Sequence, residues 1–150
     1  MDSPLERLIV TPEQVAEIVA HARAECPLEA CGLLGGQDGR VEKVYPLPNA
    51  ERSPVRYLAD PEAQFQAMME IEERGWEIVA IYHSHPASPA YPSATDLEMA
   101  FYPEALSLIL SLADRERPTL RAFRIGEGQI EEVEVRVEER ETRRTSGGRR

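Results

Sequence analysis

The stretch Ile78-Val79-Ala80-Ile81-Tyr82-His83-Ser84-His85-Pro86 decides how the rest of the chain is read. Its first five residues form a continuous apolar run of strand length, the pattern of a central strand covered on both faces. At the end of that run stand two of the chain's three histidines, followed by a loop punctuated by Pro86, Pro89 and Pro92. A buried strand that ends in paired imidazoles needs layers on either side to cover it, and the flanking sequence supplies them.

Working toward the N-terminus, Leu8-Ile9-Val10 is a short strand candidate. Thr11-Pro12-Glu13-Gln14 then reads as a helix start, with a Thr cap, Pro at the first helical position and Gln closing a capping box. Val15, Ile18, Val19 and Ala22 repeat on one helical face, and Pro27 ends the pattern. Ala30 to Leu34 is small and apolar, Gly35 to Gly39 reads as a turn, and Val41 to Leu47 as a strand. Tyr57-Leu58 suggests a brief strand. Asp60-Pro61 opens a second helix expected to turn Phe65, Met68 and Met69 inward, with Gly75 past its end.

Working toward the C-terminus, a short third helix is expected from Ser93, with Leu97, Ala100 and Phe101 inward. Leu106 to Leu112, Thr119 to Ile125 and Gln129 to Val137 follow as strands. In the last of these Val133, Val135 and Val137 alternate with charged residues, so one face is wet. Strands and helices do not alternate regularly, which argues against a doubly wound parallel fold. The expectation is an α/β domain of the α+β type over residues 1–137, with helices packed on a mixed, curved sheet. Residues 138–150 read as a disordered polar tail.

A chain of 150 residues is the size of one domain, and 42% apolar against 29% charged residues marks it as globular. No apolar run approaches the ~20 residues of a membrane span, and the N-terminus lacks the features of a signal peptide. The expected location is cytoplasmic, with no membrane partner. Cys26 and Cys31 are too close for a disulfide framework and read as free thiols. The net charge is −10, and the arginine-rich tail is itself +2, which leaves −12 on residues 1–137. Such a body repels nucleic acid.

Residues two apart on a strand point to one face, so His83 and His85 can reach one ion. Asp96, eleven residues after His85, falls in the first turn of the third helix and can add an oxygen ligand. Two nitrogens and one carboxylate leave a fourth tetrahedral position for water, the open arrangement of a catalytic zinc site. A hydrolase of this kind also needs a carboxylate outside the metal shell as proton acceptor. Glu29 stands out because it precedes the apolar segment Cys31-Gly32-Leu33-Leu34-Gly35, which would bury it and raise its proton affinity. Plainer readings stay open at this point. The histidines could be an ordinary hydrogen-bonded pair, Ser93 to Asp96 could be only a capping box, and Glu29 could be solvated. His21 reads as a surface residue. A nucleoside deaminase would need His-x-Glu and Pro-Cys-x-x-Cys, and neither is present.

The spacing His83-x-His85-Pro86, then Ser93 and Asp96, resembles the signature of the JAMM/MPN zinc metallopeptidases. Pro27-Leu28-Glu29-Ala30-Cys31-Gly32-Leu33-Leu34-Gly35 resembles the segment that carries the family's catalytic glutamate. The likeness extends over residues 7 to 137. It implies a cytidine-deaminase-like mixed sheet flanked by helices, with Zn2+ held by His83, His85 and Asp96. It further implies Glu29 as general base and then acid, and Ser93 as hydrogen-bond donor to the oxyanion. The implied substrate is a bond after the C-terminal Gly-Gly of a ubiquitin-like or sulfur-carrier protein of the ThiS, MoaD or CysO kind. The compact chain is similar to the prokaryotic, stand-alone branch. The competing expectation is a catalytically inactive MPN scaffold that binds protein partners, although such scaffolds typically lose ligands. Ser146-Gly147-Gly148 does not make the chain a carrier, because two arginines follow it.

Overall fold

The computed structural model describes residues 6–94, 96, 104–126 and 128–139. Its elements run β1 (Arg7–Val10), α1 (Pro12–Glu25), β2 (Cys31–Gln37), β3 (Arg40–Leu47), α2 (Pro61–Glu73), β4 (Glu77–His85), β5 (Leu106–Ser111), β6 (Thr119–Gly126) and β7 (Gln129–Val137). The expected order of strands and of the first two helices holds. The third helix is described only at its start, where Ala94 and Asp96 are helical. Its expected inward residues Leu97, Ala100 and Phe101 lie outside the described residues, as does the tail from 140 onward.

The sheet is mixed and curves until it closes, in the order β1-β3-β2-β4-β5-β6-β7. β7 returns to β1 in parallel, pairing Leu8 with Val135 and Val10 with Val137. β1 meets β3 at Ile9 and Arg40.

Two apolar faces hold the sheet in place. On one, Ile18 and Ala22 of α1 join Leu8, Val10, Leu34, Ala80, Tyr82, Leu108 and Leu110 in a continuous core. The reciprocal Thr11–Gln14 capping box fixes the start of α1, worth about 1 kcal/mol. Gln14 Nε2 also donates to the Val41 carbonyl at 3.0 Å and docks α1 on β3. On the other face, Ala67 and Ile71 of α2 pack with Cys31, Leu33, Tyr45 and Leu47. Further along that face, Ala90 covers Ile109, Phe123 and Ile125. β4 is therefore buried from both sides.

Four details differ from the sequence reading. Gly35, Gly36 and Gln37 belong to β2, and the turn is only Asp38-Gly39, with φ of 55° and 78°. That is the Asp-Gly loop favoured by tight hairpins. The glycines before it are there for close approach, since a Cβ on Gly36 would sit 1.9 Å from the Arg40 carbonyl oxygen. In α2 the inward residues are Ala67 and Ile71, with the expected Met68 partly buried against the same cluster, while Phe65 and Met69 are 57% and 41% exposed. The helix lies so close to β2 that a Cβ on Gly35 would come within 2.9 Å of Ile71. Tyr57-Leu58 forms no strand; a single bridge joins Asn49 to Ala59 instead. His21 is not a free surface residue, because its Nδ1 lies 2.7 Å from the hydroxyl of the buried Tyr82. Among the described residues no helix is long and apolar enough to cross a membrane.

Candidate active site

β4 and β5 are parallel, with His83 opposite Ile109 and His85 opposite Ser111. Parallel neighbours cannot be joined by a tight turn, so the chain leaving His85 must cross over before starting β5. That crossover carries Pro86, Pro89, Ser93 and Asp96. It returns Asp96 over the end of β4, beside the two histidines.

The result is one compact, buried cluster. His83, His85 and Asp96 each offer a ligand atom, and these atoms all lie within 4.8 Å of one another. His83 Nε2 is 3.2 Å from Asp96 Oδ1, and His85 Nε2 is 3.0 Å from Asp96 Oδ2. The two Nε2 atoms are 3.3 Å apart. All three side chains are at most 6% exposed. The carbonyl of Pro89 fixes the tautomer of His85. It can only accept, so the Nδ1–H of His85 donates to it at 2.7 Å and Nε2 keeps a lone pair for a cation.

Ser93 and Asp96 form a reciprocal cap. The Ser93 N–H donates to Asp96 Oδ2 at 2.8 Å, and the Asp96 N–H donates to Ser93 Oγ at 3.1 Å. The cap and the cluster are thus one structure, and Asp96 serves both. Burial pushes the Asp96 carboxyl up, but its bonds with His83, His85 and the Ser93 N–H outweigh this and hold it well below the ordinary carboxylate range.

Glu29 lies just before β2, where the Ala30 N–H donates to Ser84 Oγ at 2.8 Å and the Ser84 N–H to the Ala30 carbonyl at 3.0 Å. One residue further on, Cys31 stands opposite His83. The end of β2 is thereby stitched to the strand residue between the histidines. Glu29 is 2% exposed, and among the described residues its Oε1 has no hydrogen-bond partner. Burial pushes its pKa up to about 8; the nearby Asp96 charge adds to this and His85 opposes it. A carboxyl with that affinity can take and return a proton near neutrality. Burial also pushes the Cys31 thiol up to about 12, which leaves it a poor nucleophile. Cys26 is likewise unpaired.

The structure thus brings together His83, His85, Asp96 and Ser93, with Glu29 within electrostatic reach. Three residues escaped the sequence reading. Ser84 was hidden because it lies on the opposite face of β4 from the histidines. Tyr57, read as strand, stacks on His83 with ring centroids 4.8 Å apart and planes at 22°. Asn49, buried in the connection after β3, donates from Nδ2 to the Glu29 carbonyl at 2.9 Å.

Residues 11–126 match the family described as prokaryotic homologs of the JAB domain. The chain is 42% identical over 134 residues to the CysO-cysteine peptidase of Mycobacterium tuberculosis, covering 88% of this chain and 92% of that one. It is 41% identical over 114 residues to a probable TtuB-protein conjugate cleaving protease of Thermus thermophilus, covering 75% and 72%. The solution structure of a protein from Desulfitobacterium hafniense superposes with a TM-score of 0.81 at 42% identity, over 89% of this chain and 94% of that one. The chain belongs to the prokaryotic homologs of the JAB domain, and it is a hydrolase of that metal-dependent family.

Proposed function

We propose that this chain is a zinc peptidase that hydrolyses the peptide or isopeptide bond after the C-terminal Gly-Gly of a ubiquitin-like or sulfur-carrier protein. The observation that carries the reading is a buried Glu29 oxygen with no hydrogen-bond partner among the described residues, within electrostatic reach of three convergent ligand atoms. An inert scaffold has no use for a carboxyl buried at that cost. The named activities of the mycobacterial and Thermus relatives support the choice of substrate.

Two imidazole nitrogens and one carboxylate suit zinc with an open position, and His83, His85 and Asp96 would hold it. When bound, the ion would polarise the scissile carbonyl and make water easier to deprotonate. Glu29 takes the proton of the attacking water and hands it to the leaving amine. Ser93 Oγ already accepts from the Asp96 N–H, so its own hydrogen is free to donate to the oxyanion. The Pro89 carbonyl keeps His85 in the required tautomer through the cycle. Two unpaired cysteines suit a reducing compartment, and the reading keeps the enzyme in the cytoplasm.

The test uses the purified protein and a carrier protein joined through its Gly-Gly to cysteine or to a lysine side chain. The reading requires about one zinc per chain, release of a carrier ending in Gly-Gly by mass spectrometry, loss of cleavage with a chelator and recovery with zinc. Protein that takes up no zinc, or zinc-loaded protein that leaves both adducts intact, would overturn it.

A further inference from the structure

The two histidines are held by different devices. The Nδ1–H of His85 has the Pro89 carbonyl, whereas Nδ1 of His83 is buried with no hydrogen-bond partner among the described residues. A ligand histidine ordinarily has its ring fixed through that second nitrogen. What lies against the His83 ring is the flat face of Tyr57, near-parallel at 22° with centroids 4.8 Å apart.

Tyr57 is itself tightly placed. It belongs to the connection between β3 and α2, whose base is closed by one buried side chain. Asn49 Oδ1 accepts from the N–H groups of Glu51 and Leu58, both at 2.9 Å. Its Nδ2 donates to the carbonyls of Arg56 at 3.1 Å and Glu29 at 2.9 Å. Both chain neighbours of Tyr57 are therefore pinned. The same connection accepts the Glu29 N–H at the Ser53 carbonyl, 2.8 Å away. One braced loop thus grips the backbone of Glu29 on both sides and lays an aromatic ring on His83.

We propose that Tyr57 is a positioning residue for His83, its ring face doing for that imidazole what the Pro89 carbonyl does for His85. The inference rests on the zinc reading of the site. It requires the ring and not the hydroxyl, since that hydroxyl makes no hydrogen bond to a described residue.

The experiment compares Tyr57→Phe, Tyr57→Leu and Tyr57→Met with the wild-type chain. Zinc affinity is measured by competition with a chromophoric chelator, alongside kcat, KM and melting of the metal-free protein. Tyr57→Phe keeps zinc affinity and kcat within about twofold. Tyr57→Leu and Tyr57→Met lose about tenfold in zinc affinity, in the range of other ligand-orienting contacts, with kcat falling more than KM rises. Methionine gives a second apolar replacement without a flat face should leucine prevent folding. Leucine or methionine variants that bind zinc as tightly as wild type overturn the assignment. So does a Phe variant as weak as they are. Wild-type protein that takes up no zinc overturns the reading of the site instead, so the two failures are distinguishable.

Discussion

Ala30 and Ser84 exchange two hydrogen bonds, from the Ala30 N–H to Ser84 Oγ at 2.8 Å and from the Ser84 N–H to the Ala30 carbonyl at 3.0 Å. Ala30 follows Glu29, and Ser84 separates His83 from His85, so this exchange ties the backbone beside Glu29 to the strand that carries both histidines. Ser84→Ala strands a buried N–H and costs about 1–3 kcal/mol. The expected result is a melting point lower by several degrees, with kcat falling by more than zinc affinity does. Equal losses in kcat and zinc affinity would show that Ser84 supports the histidines and not Glu29.

The raised pKa of Glu29 makes the stability of the metal-free protein depend on pH. Its folded value of about 8 lies above the ordinary glutamate value of 4.5, so the folded chain binds the proton more tightly than the unfolded chain. The stabilisation is complete below the lower value and is lost as pH rises through the upper one. Glu29→Gln cannot ionise and escapes that loss. The metal-free variant should match wild type near pH 4.5 and exceed it at pH 9, on the order of 2–5 kcal/mol at one pKa unit per 1.36 kcal/mol. Thermal melts at the two pH values check this, and a difference that does not change with pH would contradict it.

Local spacing made the centre of the site legible. His83 and His85 end β4, Ser93 and Asp96 fall in the crossover that follows, and Glu29 sits beside an apolar strand that had to bury it. The contacts around them join residues far apart in sequence, such as Ala30 and Ser84 at a separation of 54, and no periodicity reports those. Sheet closure was invisible for the same reason, because it depends on β7 finding β1. The inward face of α2 was legible only in part: Met68 packs against the core as expected, whereas Phe65 and Met69 are exposed. Ala67 and Ile71 take the inward places, Ile71 in a close helix–sheet approach at Gly35.

Gly36 tests whether the glycine pair serves the hairpin and not the chemistry. An added Cβ would meet the Arg40 carbonyl oxygen at 1.9 Å, and that atom is backbone and cannot swing aside. Gly36→Ala should therefore destabilise the fold by about 2 kcal/mol or more. The fraction that folds should keep wild-type zinc affinity and kcat. Melting and single-temperature kinetics separate the two effects, and a loss of kcat in fully folded protein would show that β2 strain reaches the site.

Ser93 is assigned two roles that two variants can separate. Ser93→Ala loses both the cap and the oxyanion donor, whereas Ser93→Asp restores a cap acceptor without a donor. Alanine should lower kcat by about 10²-fold, and aspartate should recover melting temperature but not kcat. Recovery of both by aspartate would reduce Ser93 to a helix cap.

The most direct test of the account is to load Glu29→Gln with zinc and measure its metal content and its cleavage of a Gly-Gly-linked carrier adduct side by side with wild type. The account predicts the same zinc content and a turnover lower by about 10²–10⁴-fold, the range of a lost general acid–base. A zinc-loaded variant that cleaves as fast as wild type would contradict it.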